Sequence, residues 1–231
     1  IFPNRKESDS FDITTSLESI SVEQEAELLG ISKTNYLLSY KDISSTEFEL
    51  IKDLPKLYLF LIAYWASWHK MSLSEAINDY TNKKADWNQR YENYKYEMLF
   101  KIHKGRGKGG IQKYYAGWNT YIKLAHGNIR YLMELIYKAY EKHLNENEPL
   151  TKPVSIKNQT QAAQEVGEKN LTELEGLKEN GAQLIRLLLG FGRIFNVLSS
   201  EEGKFAPEKN QFSIENSDSL SKECQDILNP A

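Results

Sequence analysis

Apolar side chains recur along this chain at three- and four-residue intervals, and strict alternation is rare. The first spacing lines one face of a helix, whereas a strand alternates every second residue. The pattern predicts helices near residues 55–70, 74–82, 87–103, 117–126, 128–144, 157–177 and 181–200. Residues 1 to about 20 are polar without a sustained period and read as loop. "SVEQEAELLG" offers Ser21 as an N-cap, Glu and Gln in the first turn, and Gly30 as a stop. "SSTEFELIKDL" starts another short helix, capped by Ser44 or Ser45, and Pro55 fits the first turn of the helix after it.

Burial follows from the same pattern. "LYLFLIAYWASW", Leu57 to Trp68, is the longest apolar run, shorter than the roughly 20 residues of a membrane span, and predicts a buried helix. Trp87, Tyr91, Tyr94 and Met98 share one helical face and are assigned to the core, and Trp65, Trp68 and Trp118 are expected to pack. Ile129, Leu132, Met133, Ile136, Ala139 and Tyr140 project onto one arc, expected to be buried. Gln159, Ala162, Ala163, Val166, Asn170, Leu174 and Leu177 keep a helical period. "NQFSIEN" is the one convincing strand, with Phe212 and Ile214 alternating against polar neighbours. The fold class is mainly α with few short strands. The polar, Pro-containing stretch near residues 145–153 divides it into domains 1–148 and 149–231.

Composition adds modest limits. The 231 residues are 40% hydrophobic and 26% charged, with a formal charge of -3. That excludes a generally basic nucleic-acid coat but leaves room for a local basic patch. A single cysteine, Cys224, rules out an internal disulfide framework, and a reducing, cytoplasmic setting is expected. The sequence has no signal-peptide pattern, and neither membrane nor metal partner is expected. His103 and His126 have no acid at matched spacing, so no hydrolase triad can be argued. A chain that opens on Ile1 and closes on "DILNPA" reads as a piece of something longer.

"KIHKGRGKGGIQK" is the strongest electrostatic feature. Lys101, Lys104, Arg106, Lys108 and Lys113 lie there without an acid, among four glycines. Such a segment suits a phosphate backbone, or the nucleotide of a neighbouring ATPase core, or plain solvent. Arg186 and Arg193, seven apart in an apolar helix, nearly coincide in projection and suit either DNA phosphate or solvent.

"LAHGNIRYLMELI" carries the most specific signal. Gly127-Asn128 breaks the helical pattern and Arg130 falls in the first turn of the next helix. A cation is locally unfavourable at that positive end, unless an anion approaches and meets arginine, N–H groups and dipole together. The plainer reading is an ion pair from Arg130 to Glu134, worth about 0.2–0.5 kcal/mol.

"GNIRYLMELI" resembles the sensor-2 motif of AAA+ ATPases of the origin-recognition and initiator clade, where Gly-Asn-x-Arg opens a lid helix. "YAGWNTYIKLAHGNIR" is similar to the lid segment leading into it. "PVSIKNQTQAAQEVG", "GAQLIRLLLGFGRIFNVL" and "NQFSIEN" resemble, in order, the winged-helix region of bacterial members, often of defence-type loci. The resemblance covers about residues 110 to 215. Residues 1–100 align with no part of the family and read as a lid insertion. It implies a helical lid-like bundle followed by a partial winged-helix-like domain. It also implies ATP in the intact protein, with Arg130 at the nucleotide phosphates beside Gly127 and Asn128. By their charge, Lys104, Arg106, Lys108, Lys113, Arg186 and Arg193 are the candidate nucleic-acid contacts, and the C-terminal part is expected to bind DNA or a partner protein.

The departure from the family is large. No Gly-Lys-Ser/Thr loop follows a strand, and "GRGKGG" lacks the hydroxyl residue after its lysine. This chain alone is therefore expected to bind no ATP and catalyse nothing. An ATPase core and a homo-oligomer belong to the intact protein under this reading. The alternative is a free-standing α-helical interaction module, in which Gly-Asn-x-Arg is only a helix start.

Overall fold

The computed structural model describes residues 12–102, 111, 113–176 and 180–200, without the side chains of Asp42, Ser199 and Ser200. Among the described residues there are eleven α-helices. They are α1 (Ile13–Ser16), α2 (Val22–Leu28), α3 (Asn35–Leu38), α4 (Ser45–Ile51), α5 (Lys56–His69) and α6 (Leu73–Asn82). Then come α7 (Lys84–Ile102), α8 (Trp118–Ala125), α9 (Ile129–Asn145), α10 (Ile156–Glu175) and α11 (Gly181–Ser200). The described fold is all-helical. It has no strand, and its β-type pairing is an isolated parallel bridge between Leu17 and Val154. The expected winged-helix strand, residues 210–216, lies outside the described residues.

All seven predicted helices are present. α7 starts at Lys84, earlier than its aromatic stripe, because the first-turn residues need no buried face. Within the expected N-terminal loop, Asp12 caps the four-residue α1 by accepting from the Thr14 backbone. Three capping boxes set the starts of α2, α4 and α6: Ser21 with Gln24, Ser44 with Glu47, and Ser72 with Glu75. Each reciprocally satisfies two backbone donors that a helix start leaves open. Pro55 is the N-cap of α5, one position before the first turn. Gly30 follows α2 with φ 83°, the left-handed stop that glycine adopts without a steric cost.

The chain divides into two compact units. One comprises Ile1–Ile20 and Tyr114–Lys178, the other Ser21–Lys113 and Glu179–Ala231. The Pro-containing stretch 145–153 falls inside the first unit, between α9 and α10.

The second unit is organised by α5, whose Leu57, Phe60, Leu61 and Ile62 are almost wholly buried. Trp87 and Met98 of α7 are fully buried, as their spacing predicted, and Tyr91 is buried at the edge. Tyr58 stacks on Tyr91 with centroids 4.7 Å apart, and Tyr91 donates to Glu23 at 2.7 Å. Burial together with that carboxylate raises the Tyr91 phenol well above its ordinary range. Arg90 lies over Trp65 and Trp87, at 4.5 and 4.9 Å from their centroids, so these indoles serve packing.

The first unit buries Leu17, Tyr121, Leu135, Ile136, Ala139, Val154, Ala162 and Val166 together, with Trp118 and Leu132 packed against them. Two members of the predicted α9 arc are not buried: Ile129 is 69% exposed and Met133 59%. α10 packs along the Leu135 side of α9, which turns the buried arc by roughly 60° toward Leu135 and His143. Ile129, Met133 and Tyr137 are left as an exposed apolar stripe at four-residue intervals.

A polar node ties this unit's separate chain segments together. Gln159 is completely buried, and its Oε1 accepts from the Gly117 backbone N–H at 2.7 Å. Its Nε2 donates to the carbonyls of Glu18 and Val154, both at 2.8 Å. Its own backbone carbonyl accepts the Tyr121 hydroxyl at 2.8 Å. A buried amide is tolerated when it is satisfied in this way.

α11 is long and apolar enough, by length and composition alone, to cross a membrane over Gly181–Leu198, where the mean hydropathy is 1.2. Core helices pass the same test, but only 6% of this window is buried.

Candidate functional site

The Gly-Asn-x-Arg segment lies in the first unit, where α8 hands over to α9. His126 caps the end of α8 in the left-handed conformation at φ 46°, and Gly127 continues left-handed at φ 79°. These two residues reverse the chain. Asn128 returns it to extended backbone at φ -87° and caps α9, its side chain accepting from the Arg130 backbone at 3.0 Å. The expected helix start is therefore present, with each of the three residues in a distinct role.

Gly127 is needed for its backbone, since a Cβ there would meet nothing within 4 Å. Gly127→Ala is expected to cost about 1–2 kcal/mol, the usual penalty of a left-handed L-residue. Gly127→Asn should cost less, because asparagine tolerates that region. Urea unfolding of the two variants checks the order. Equal losses would place the cost in sterics rather than backbone conformation.

Arg130 occupies the second helical position and its side chain is 70% exposed. Its guanidinium Nη2 lies 3.9 Å from Glu173 Oε2 on α10, beyond hydrogen-bonding distance. Glu134, the expected intrahelical partner, instead accepts a hydrogen bond from Lys169 of α10, and Lys169 also lies 3.3 Å from Glu173. These two carboxylates, Glu134 first, hold the Lys169 ammonium above its ordinary range. The result is a surface ladder of two acids and Lys169 with Arg130 at its loose end. A guanidinium held this weakly keeps most of its donors for solvent or an incoming anion. Sequence reasoning missed Lys169 and Glu173. Their four-residue spacing on one helix was visible, but their reach to α9 was not.

The other candidates are dispersed. Lys113 donates from Nζ to Glu25 Oε2 at 2.7 Å, and Glu25 is only 3% exposed. Lys113 therefore neutralises a buried carboxylate within the second unit. Lys104, Arg106 and Lys108 lie outside the described residues. Arg186 and Arg193 are both exposed on α11, on the common face that their spacing predicted. Exposed Leu188, Leu189, Ile194 and Val197 accompany them on the same helix. Among the described residues no group of three or more His, Cys, Asp or Glu is placed to hold a metal ion.

No curated protein and no solved structure matches this chain. A family model does. The model described as ORC-CDC6-like matches residues 2–231, and it reaches across the N-terminal hundred residues that aligned with nothing on sequence motifs. The chain belongs to the ORC-CDC6-like family.

Proposed function

We propose that this chain is a non-catalytic regulatory part of an initiator-type AAA+ ATPase, sensing nucleotide through Arg130 and contacting DNA or a partner protein through α11. Family membership supports the relation to initiator proteins. The observation that carries the reading is Arg130 itself: a capped helix start, a mostly exposed guanidinium and, among the described residues, one acidic partner at 3.9 Å. Phosphate would meet the arginine, the open N–H groups and the positive helix end at one place. ATP is the expected nucleotide, supplied on an ATPase core. Arg186 and Arg193 would contact DNA phosphates without reading sequence. The same reading places the chain in the cytoplasm, in a homo-oligomer, and among bacterial members of defence-type loci.

The test compares wild type and Arg130→Ala twice. Thermal unfolding of the chain should hardly change, since an exposed pair is worth about 0–1 kcal/mol. Nucleotide affinity or turnover of the intact protein should fall by about tenfold to a hundredfold, as a charge-assisted hydrogen bond of roughly 1.5–3 kcal/mol is lost. A large loss of stability with normal nucleotide response would make Arg130 structural. The exposed stripe of Ile129, Met133 and Tyr137 favours the second reading, a helical interaction module without a nucleotide role.

A further inference from the structure

One side of α11 exposes cationic and apolar groups together. Arg186 and Arg193 point in nearly the same direction, and Leu189 and Ile194, 56% and 53% exposed, project within roughly 80° of them. Leu184, Phe191, Phe195 and Leu198 are half-buried on the opposite side. The helix contains no acid over its whole length. A phosphate backbone would pair with the arginines but would gain nothing from the two apolar side chains. An occupant that suits this face brings acids and apolar groups at once. The sequence after α11 has that make-up: residues 201–231 hold seven acidic side chains against three lysines, in a chain whose formal charge is only -3. Within them Leu220, Cys224, Ile227 and Leu228 keep the spacing of one helical face, and Glu223 projects beside it. Both segments belong to the second unit.

We propose that residues 218–228 of this chain dock on the arginine face of α11 and keep phosphate away from it. The apolar positions would cover Leu189 and Ile194, and the Glu223 and Asp226 carboxylates would lie beside Arg186 and Arg193. Reach is no obstacle, since residues 201–217 extend to roughly 55 Å and α11 is about 30 Å long. A tether of that length holds the segment at an effective concentration on the order of millimolar, so individually weak contacts suffice. DNA has to displace the segment before it meets the arginines, which makes the segment a brake on that contact. The brake rests on the DNA role proposed above for α11, whereas the docking does not.

Cys224 is the only cysteine of the chain, which makes disulfide trapping a direct test. In the full chain treated with oxidised glutathione, Leu189→Cys or Ile194→Cys should give an intramolecular disulfide with Cys224. Leu28→Cys, at a position 51% exposed on α2, should not. Adding Ile227→Glu should prevent the trapping. The same substitution in the otherwise unaltered chain tests the brake on a short DNA duplex. It adds an acid, which alone would weaken binding, so tightening by about fivefold would report release of α11. Trapping at neither α11 position, equal trapping at Leu28→Cys, or disulfides only between chains would overturn the docking. Weaker or unchanged duplex binding by Ile227→Glu would overturn the brake where Arg186→Ala with Arg193→Ala lowers that binding. Where the arginine pair makes no difference to the duplex, the DNA role of α11 falls instead, and the trapping alone decides the docking.

Discussion

Replacing Gln159 with leucine is expected to lower the stability of the first unit by about 2–4 kcal/mol, despite adding an apolar side chain to a core. Leucine fills much of the same volume but supplies none of the three side-chain hydrogen bonds to Gly117, Glu18 and Val154. The Glu18 carbonyl can be rehydrated, because Glu18 is exposed, and Val154 keeps its bond from the Glu18 backbone at 3.3 Å. The Gly117 N–H is buried and has no such recourse, and leaving it unpaired is the main cost. Gln159→Glu should be at least as damaging, since it removes the Nε2 donor and adds a buried charge. Urea unfolding, with hydrogen exchange of α10 amides as the local reading, measures both. A loss below about 1 kcal/mol for Gln159→Leu would show that the segments are held by packing alone.

The second large effect lies at the other end of the same bond. Gly117→Ala is expected to cost about 2–5 kcal/mol, from two sources that act together. Gly117 has φ 91° and ψ 150°, a region that L-residues essentially avoid. Its missing Cβ would also come within 3.2 Å of both Cα and Cβ of Ser19, where backbone would have to move. That movement would pull the Gly117 N–H from Gln159, so the two substitutions should not be additive. The double variant should lose clearly less than the sum of the singles. Strict additivity would mean that residue 117 and Gln159 act independently, contrary to their 2.7 Å contact.

Local features were legible in the sequence. Ser21 and the Ser44-Ser45 pair announced their helices, the aromatic spacing from Trp87 to Met98 announced a core face, and Gly127-Asn128 announced the start of α9. What escaped depended on neighbours remote in sequence. Gln159 kept a helical period, yet no local signal said that three distant backbone groups would converge on it. Ile129 and Met133 matched the buried arc of α9, but the docking side of α10 decides which edge of a wide arc is covered. Lys113 read as one cation of a basic run, while its partner Glu25 lies 88 residues earlier. For Arg130, the sequence supplied the backbone position, and the weak hold of Glu173 came only from the fold.

The discontinuity of the first unit has a consequence for the order of events on the ribosome. Glu18 and Gln159, joined through Nε2, are separated by 141 residues. At about 5–20 residues per second, roughly 7–28 s pass between the synthesis of one and that of the other. In that interval the whole stretch Ser21–Lys113 leaves the tunnel and is free to collapse around α5. The segment preceding it must wait, kept in reach by whatever has condensed behind it. Closing so long a loop is entropically easier once its interior is compact. Early condensation of the intervening helices therefore shortens the search by which Leu17 finds Val154, a pairing that nascent-chain crosslinking would time.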